Sequence, residues 1–316
     1  MSAKPPTATV TSAKPPAATV AAVTLACALA LSACTADQAP GSTRAAARAA
    51  TATASAGEPP GTGRPTTKND GKLITVYEPG TTPAGEKSRG FLEKNHVLDD
   101  VASQANARVT LAHDVPLMGL NCDESNAYWS AMRQDIRYCY EFEASTRKLF
   151  EKPDDDGKKP TSKDVDDDIV GFTNGIVLHE LGHALISMYE LPVTGKEEDA
   201  VDQLAVVLLT TGDQPHDKYV AETIYAWARM ASEKELNKSA SDMLELYSDE
   251  HSLSAQRLYN WTCWLYGSNP DAYQGLVESD DNPDGALPSA RAGQCEDEYK
   301  KLSKSWNTLL KPYLKQ

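Results

Sequence analysis

The pentapeptide His179-Glu180-Leu181-Gly182-His183 constrains this chain more than any other segment. It interrupts an apolar, helix-competent run, with Gly175-Ile176-Val177-Leu178 before it and Ala184-Leu185-Ile186-Ser187-Met188 after it. Residues four apart lie on one helix face, about a turn from each other. Two imidazoles so placed can meet one metal ion, and a glutamate beside the first can act as general base toward a water. On such a helix Ile176, His179, Glu180, His183 and Ser187 share one side, while Val177, Leu181, Leu185 and Met188 form an apolar stripe toward the other. The metal face is expected to open on a cleft and the back to pack into a core. Gly182 weakens a helix relative to alanine, and the expected reason for it is that a side chain there would crowd the site.

A catalytic zinc usually takes three protein ligands and keeps one position open. One solution places a third histidine shortly after the motif. Here the following residues are Ala184 to Glu190, with no histidine, so that solution is excluded. The other solution is a carboxylate from the next helix. After Leu191-Pro192-Val193-Thr194-Gly195 the chain reads Glu197-Glu198-Asp199-Ala200-Val201-Asp202. Glu198 and Asp202 are four apart and share a helix face. Glu198 is the expected ligand in preference to Glu197, because Asp202 can then accept the remaining ring N–H of a ligand histidine. The competing reading is that these acids only favour a helix N-terminus.

The ends of the chain carry a different message. Lys4 and Lys14, the apolar run from Ala18 to Ala30 and the ending Leu31-Ser32-Ala33-Cys34 read as an export signal over residues 1–33. The small residues before Cys34 resemble a bacterial lipoprotein signal, which implies lipidation of Cys34 and a membrane anchor on the extracytoplasmic face. Residues 34–70, rich in Ala, Thr, Gly, Pro and Ser, read as a disordered tether, and 71–316 as one folded domain. No later stretch is expected to span a bilayer. The full chain has a formal charge of −14, from 31 basic and 45 acidic side chains, and loss of the two leader lysines makes it more acidic still. This balance argues against nucleic acid as a partner. Cys122, Cys139, Cys263 and Cys295 remain, an even number in an exported domain, and read as two disulfides. The favoured pairing is Cys122–Cys139 with Cys263–Cys295, since a hairpin turning between Ser130 and Ala131 would set the first two opposite each other. A second zinc site would need CxxC spacing, which is missing.

Strands are expected at Leu73–Tyr77, Val109–Ala112, Asn126–Trp129 and Ile136–Phe142, with a helix over Phe91–Ala105 between the first two. Helices then follow at 169–190, 197–210, 217–232 and 252–266. Strands first and helices later give an α+β class, a mixed N-terminal sheet beside a mostly helical half.

His179-Glu180-Leu181-Gly182-His183 followed by Glu198-Asp199-Ala200-Val201-Asp202 resembles the gluzincin pattern of thermolysin-like peptidases. Asn126-Ala127-Tyr128-Trp129 is similar to their Asn-Ala-aromatic-Trp edge strand. More closely, the chain resembles a bacterial metallopeptidase family of unknown function. That resemblance rests on Cys122 with Asn126-Ala127, Cys139-Tyr140-Glu141, the helix motif with Ala184-Leu185, Leu191 to Ala200, and Arg257-Leu258-Tyr259-Asn260, and it spans about 75 to 313. It implies a zincin-like fold, one catalytic Zn2+ on His179, His183 and Glu198, and Glu180 as the base. It also implies that Asn126, Ala127, Tyr128 and Trp129 hold a peptide or protein substrate by main-chain hydrogen bonds. His251, with Asp249 orienting its ring, is similar to the late Asp…His element that donates to the oxyanion; Tyr259 is a second candidate. The connection from His183 to Glu198 is shorter than in thermolysin-like enzymes, so substrate preference is not expected to transfer. The alternative from a different class is a non-catalytic envelope binding protein whose zinc only braces two helices.

Overall fold

The computed structural model describes residues 71–315 except 155–156, 213–215 and 236–237. The export signal, the tether and Cys34 lie outside the described residues. Four strands form one mixed sheet: β1 (Leu73–Tyr77), β2 (Val115–Leu120), β3 (Ala127–Ser130) and β4 (Asp135–Cys139). Their order is β1-β2-β4-β3, with β1, β2 and β4 parallel and β3 antiparallel on the edge. Helices α1 (Pro83–Lys94) and α2 (Val97–Arg108) connect β1 to β2. Beyond the sheet come α3 (Tyr140–Phe150), α4 (Ser162–Tyr189), α5 (Glu197–Thr210), α6 (Asp217–Lys234), α7 (Ala240–Ser248), α8 (Ser254–Ser268) and α9 (Ser289–Leu310). The fold is thus α+β with a helical C-terminal half.

Several local expectations need correction. The helix expected over Phe91–Ala105 is two helices, because His96 sits in the left-handed region at φ 52° and turns the chain. Val109–Ala112 is not a strand; Val109 and Leu111 make only isolated bridges to Leu314 and Gly71. The interior strand β2 takes its place beside β4, and Pro116 and Gly119 disguise it in the sequence. Helix α3 starts at Tyr140, so β4 ends at Cys139. Both disulfides are present, with Cα atoms 5.5 and 5.1 Å apart. The hairpin reasoning for the first was inaccurate: β3 pairs Ala127 with Tyr138, which leaves Cys139 beside Asn126. Cys122 arrives instead from the end of β2, whose Leu120 pairs with Cys139.

Helix α4 is the axis of the molecule. A capping box between Thr161 and Asp164 starts it, and Glu190 in the left-handed region ends it two residues before Pro192. By length and composition it would pass for a membrane span, contrary to expectation, but 89 % of its most apolar window is buried in the protein. Its neighbours are α2, α3, α5 and α6 and the β3–β4 side of the sheet. Val177, Leu181 and Leu185 are fully buried, as the stripe implied.

Gly182 serves helix packing. A Cβ there would lie 2.7 Å from both Cβ and Cγ1 of Val201 on α5. His179, Gly182 and His183 make one i, i+3, i+4 face, and Glu198, Val201 and Asp202 make the facing one. The missing side chain lets Val201 sit against α4, which brings the acids of α5 onto the histidines. Gly182→Ala is expected to cost about 1–3 kcal/mol by overpacking despite the better helix propensity of alanine. Chemical denaturation with an unchanged m-value would measure it.

Near the start of α4, burial pushes the Asp168 carboxyl up to about 7, helped by the charges of Asp164 and Asp167. An unfolded aspartate ionises near pH 3.9. The folded state therefore binds more protons between about pH 4 and 7, and this residue's contribution to stability falls as pH rises through that window. Asp168→Asn should raise the melting temperature at pH 8, with the advantage shrinking as melts are repeated toward pH 4. An equal shift at every pH would contradict this account.

Candidate metal centre

The two helix faces meet as a set of paired contacts. Glu198 lies 3.1 Å (Oε2) from His179 Nε2 and 3.3 Å (Oε1) from His183 Nε2. Each histidine is held from behind by a second acid of α5. His179 Nδ1 is 2.8 Å from Asp202 Oδ1, and His183 Nδ1 is 2.8 Å from Glu197 Oε1. A carboxylate only accepts, so both Nδ1 atoms carry the proton. The Nε2 lone pairs of the neutral rings then converge on the anionic Glu198.

Lone pairs facing a carboxylate at these distances require positive charge between them. Protonation of the rings is one source and a cation is the other. With zinc–nitrogen and zinc–oxygen bonds of about 2.0–2.2 Å, ligand atoms around a tetrahedral ion stand roughly 3.3 Å apart. The separations at Glu198 match that edge, so the residues present fit a metal ion. His179, His183 and Glu198 could hold one, their ligand atoms all lying within 4.8 Å of one another. The same field appears in proton affinities. Burial opposes charge on His179, but Asp202 and Glu198 outweigh it and raise the ring to about 9. Glu198 is half-buried, which works against its charge, yet His179, His183 and His251 hold its carboxyl well below the usual range.

Glu180 points to another part of the site. It is 7 % exposed. Its Oε2 accepts the Trp129 main-chain N–H at 2.8 Å, and its Oε1 lies 4.0 Å from His179 Nε2. Burial raises its carboxyl despite the opposing pull of the two histidines and the Trp129 N–H. The Trp129 contact also shows which way β3 faces. Asn126 and Ser130 turn their carbonyls toward β4 and its turn, accepting from Cys139 and Gln134, so Ala127 and Trp129 present theirs to the open edge. Asn126 and Ala127 line a cavity of about 270 Å³ with His179, Glu180, His251 and Arg257. Tyr128 and Trp129 are not among its walls; Tyr128 stands across from Arg137.

His251 joins the centre from the segment between α7 and α8. Its Nε2 is 3.0 Å from Glu198 Oε2, and Asp249 Oδ1 takes both its main-chain N–H, at 2.8 Å, and its Nδ1, at 3.1 Å. Its hydrogen bond to Glu198 raises its pKa. Lys196 Nζ on the Asp249 carbonyl and Ser252 Oγ on Asp199 tie the same segment to the start of α5. Tyr259 lies away from the cavity, 38 % exposed.

Two residues take parts at the centre that local sequence pattern does not assign them. Glu197 was weighed only as a rival ligand, yet it orients His183. Arg257 stands out in the sequence only within the Arg257-Leu258-Tyr259-Asn260 resemblance, yet it pairs with Asp202. A local signal for Arg257 is a single cation opening the uncharged, mostly apolar run Leu258 to Tyr266.

No curated protein and no solved structure matches the chain. The family model described as "Putative metallopeptidase" (DUF4344) matches residues 77–310, from the end of β1 to the end of α9, and the chain belongs to that family.

Proposed function

We propose that the protein is a zinc-dependent peptidase, exported and held on the extracytoplasmic face of a membrane by a lipid on Cys34, acting on peptide or protein substrates. The observation that carries the reading is the convergence of His179 Nε2, His183 Nε2 and both Glu198 oxygens beside a buried, unligated Glu180. Zinc bound there would polarise the scissile carbonyl and make a water acidic enough to attack it. Glu180 takes the proton of that water and delivers it to the leaving amine; its raised proton affinity suits a group that must do both. The Trp129 N–H keeps its carboxylate in place. His251, its Nδ1–H held by Asp249, donates from Nε2 in its doubly protonated form to the oxygen that gains charge. The outward carbonyls of Ala127 and Trp129 accept from an extended peptide added at the β3 edge, which reads backbone and little sequence. Residues 34–70 act as the tether between anchor and domain.

The test is digestion of a diverse peptide mixture by zinc-loaded protein, with chelator-treated protein as control. Cleavage that chelation abolishes and zinc restores is the expected result, and the cut sites would define preference. Stoichiometric zinc binding without cleavage of any peptide would overturn the peptidase reading.

A further inference from the structure

Arg257 lies in the wall of the cavity, beside His179 and Asp202. It is 7 % exposed, and Asp202 and His179 are still more buried. Its Nε donates to Asp202 Oδ2 at 2.7 Å and its Nη2 to Oδ1 at 2.5 Å, a two-point grip. The guanidinium carbon stands 3.7 Å from the centre of the Trp227 ring. Trp227, Arg257, Asp202 and His179 thus form a row drawn from α6, α8, α5 and α4 in turn. Arg257 Nη2 is also 3.4 Å from His179 Nδ1, but both nitrogens carry protons, so the contact is not a hydrogen bond.

We propose that Arg257 is a positioning residue of the metal centre, clamping Asp202 in the orientation that holds the His179 ring. This rests on the zinc-site reading above. Asp202 Oδ1 must accept from His179 and Arg257 together, which leaves the carboxylate no freedom to rotate. Removing Arg257 would leave Oδ2 a buried acceptor without a donor and the carboxylate without its fork. Asp202 then reorients toward any donor available, and the His179 ring loses its fixed tautomer and direction. The flat stack on Trp227 fixes the plane of the guanidinium, so a lysine cannot substitute: it restores charge but neither the fork nor the stack.

The experiment is zinc affinity, measured by chelator competition on the full chain, for wild type, Arg257→Met, Arg257→Lys, Asp202→Asn and the two double variants. Loss of an outer partner typically costs about 10–100-fold in metal affinity. Arg257→Met is expected in that range, with Arg257→Lys recovering only part. In the Asp202→Asn background neither change should add more than about twofold, because Arg257 acts through the carboxylate already removed, whereas an independent Arg257 would show its full loss there. Circular dichroism checks folding, and Arg257→Lys carries the comparison if the methionine variant does not fold. Wild-type affinity in the lysine variant, or an equal loss with and without the Asp202 carboxylate, would overturn the proposal. Wild type that binds no zinc would instead remove the site reading, a result distinguishable from either.

Discussion

Glu180→Gln lowers the rate of peptide-bond cleavage by roughly 10²–10⁴-fold, the usual contribution of a positioned acid–base group, and leaves zinc bound. The two halves of this expectation come from separate contacts. Glu180 is not in the group that could hold a metal, so removing its charge spares the three ligand side chains. Glutamine keeps the shape of the side chain, and its amide oxygen can still accept the Trp129 N–H that Glu180 Oε2 takes at 2.8 Å. What it cannot do is accept and return a proton. The loss should fall on kcat more than on KM, because the group acts in the chemical step. Steady-state rates with zinc content measured on the same sample check both halves. Activity within a few-fold of wild type would remove Glu180 as the base and with it the proposed mechanism.

Glu198→Ala produces the opposite pattern, a loss of metal before any loss of fold. Each Glu198 oxygen faces one of His179 and His183, and Oε2 also faces His251. Without it, three imidazoles meet with no shared anion. Outer partners are worth about 10–100-fold in affinity, and a direct ligand should exceed the upper figure. Activity should fall with zinc occupancy and return in part at high zinc, which Glu180→Gln would not do. Glu197→Ala, by contrast, removes only the support of His183 and should stay within the outer-partner range. Chelator competition on the two variants separates a ligand from a support. Equal, small losses would mean that Glu198 is no more a ligand than its neighbour.

What was legible in the sequence was what a single helix or a single spacing encodes. The i, i+4 pair His179 and His183 needs only helical geometry, and so does the matching pair Glu198 and Asp202. Helix α5 begins and ends where its pattern did, at 197 and 210. Cysteine pairing was also recovered, though by an inaccurate hairpin, because only three pairings exist for four cysteines. Strand β2 was lost because Pro116 and Gly119 are poor strand residues. Its pairing with strands on both sides outweighs that local cost.

Other features exist only once elements from distant parts of the chain meet. Glu197 and Glu198 are adjacent and chemically alike, so local pattern alone distinguishes them weakly. The rotation of α5 against Gly182 decides that one faces both Nε2 atoms and the other a single Nδ1. His251 and Arg257 lie about seventy residues beyond the motif; Asp249 beside His251 marks that histidine as a candidate, but no local pattern gives Arg257 its partner. The packing of α8 against α5 and α6 turns Arg257 toward Asp202 and over Trp227. Local periodicity determines which residues share a face, whereas which faces meet, and at what rotation, depends on the burial of whole helices. The group that could hold a metal, with Asp202 beside it, was therefore written in the sequence, and the parts of Glu197 and Arg257 were decided by the tertiary structure.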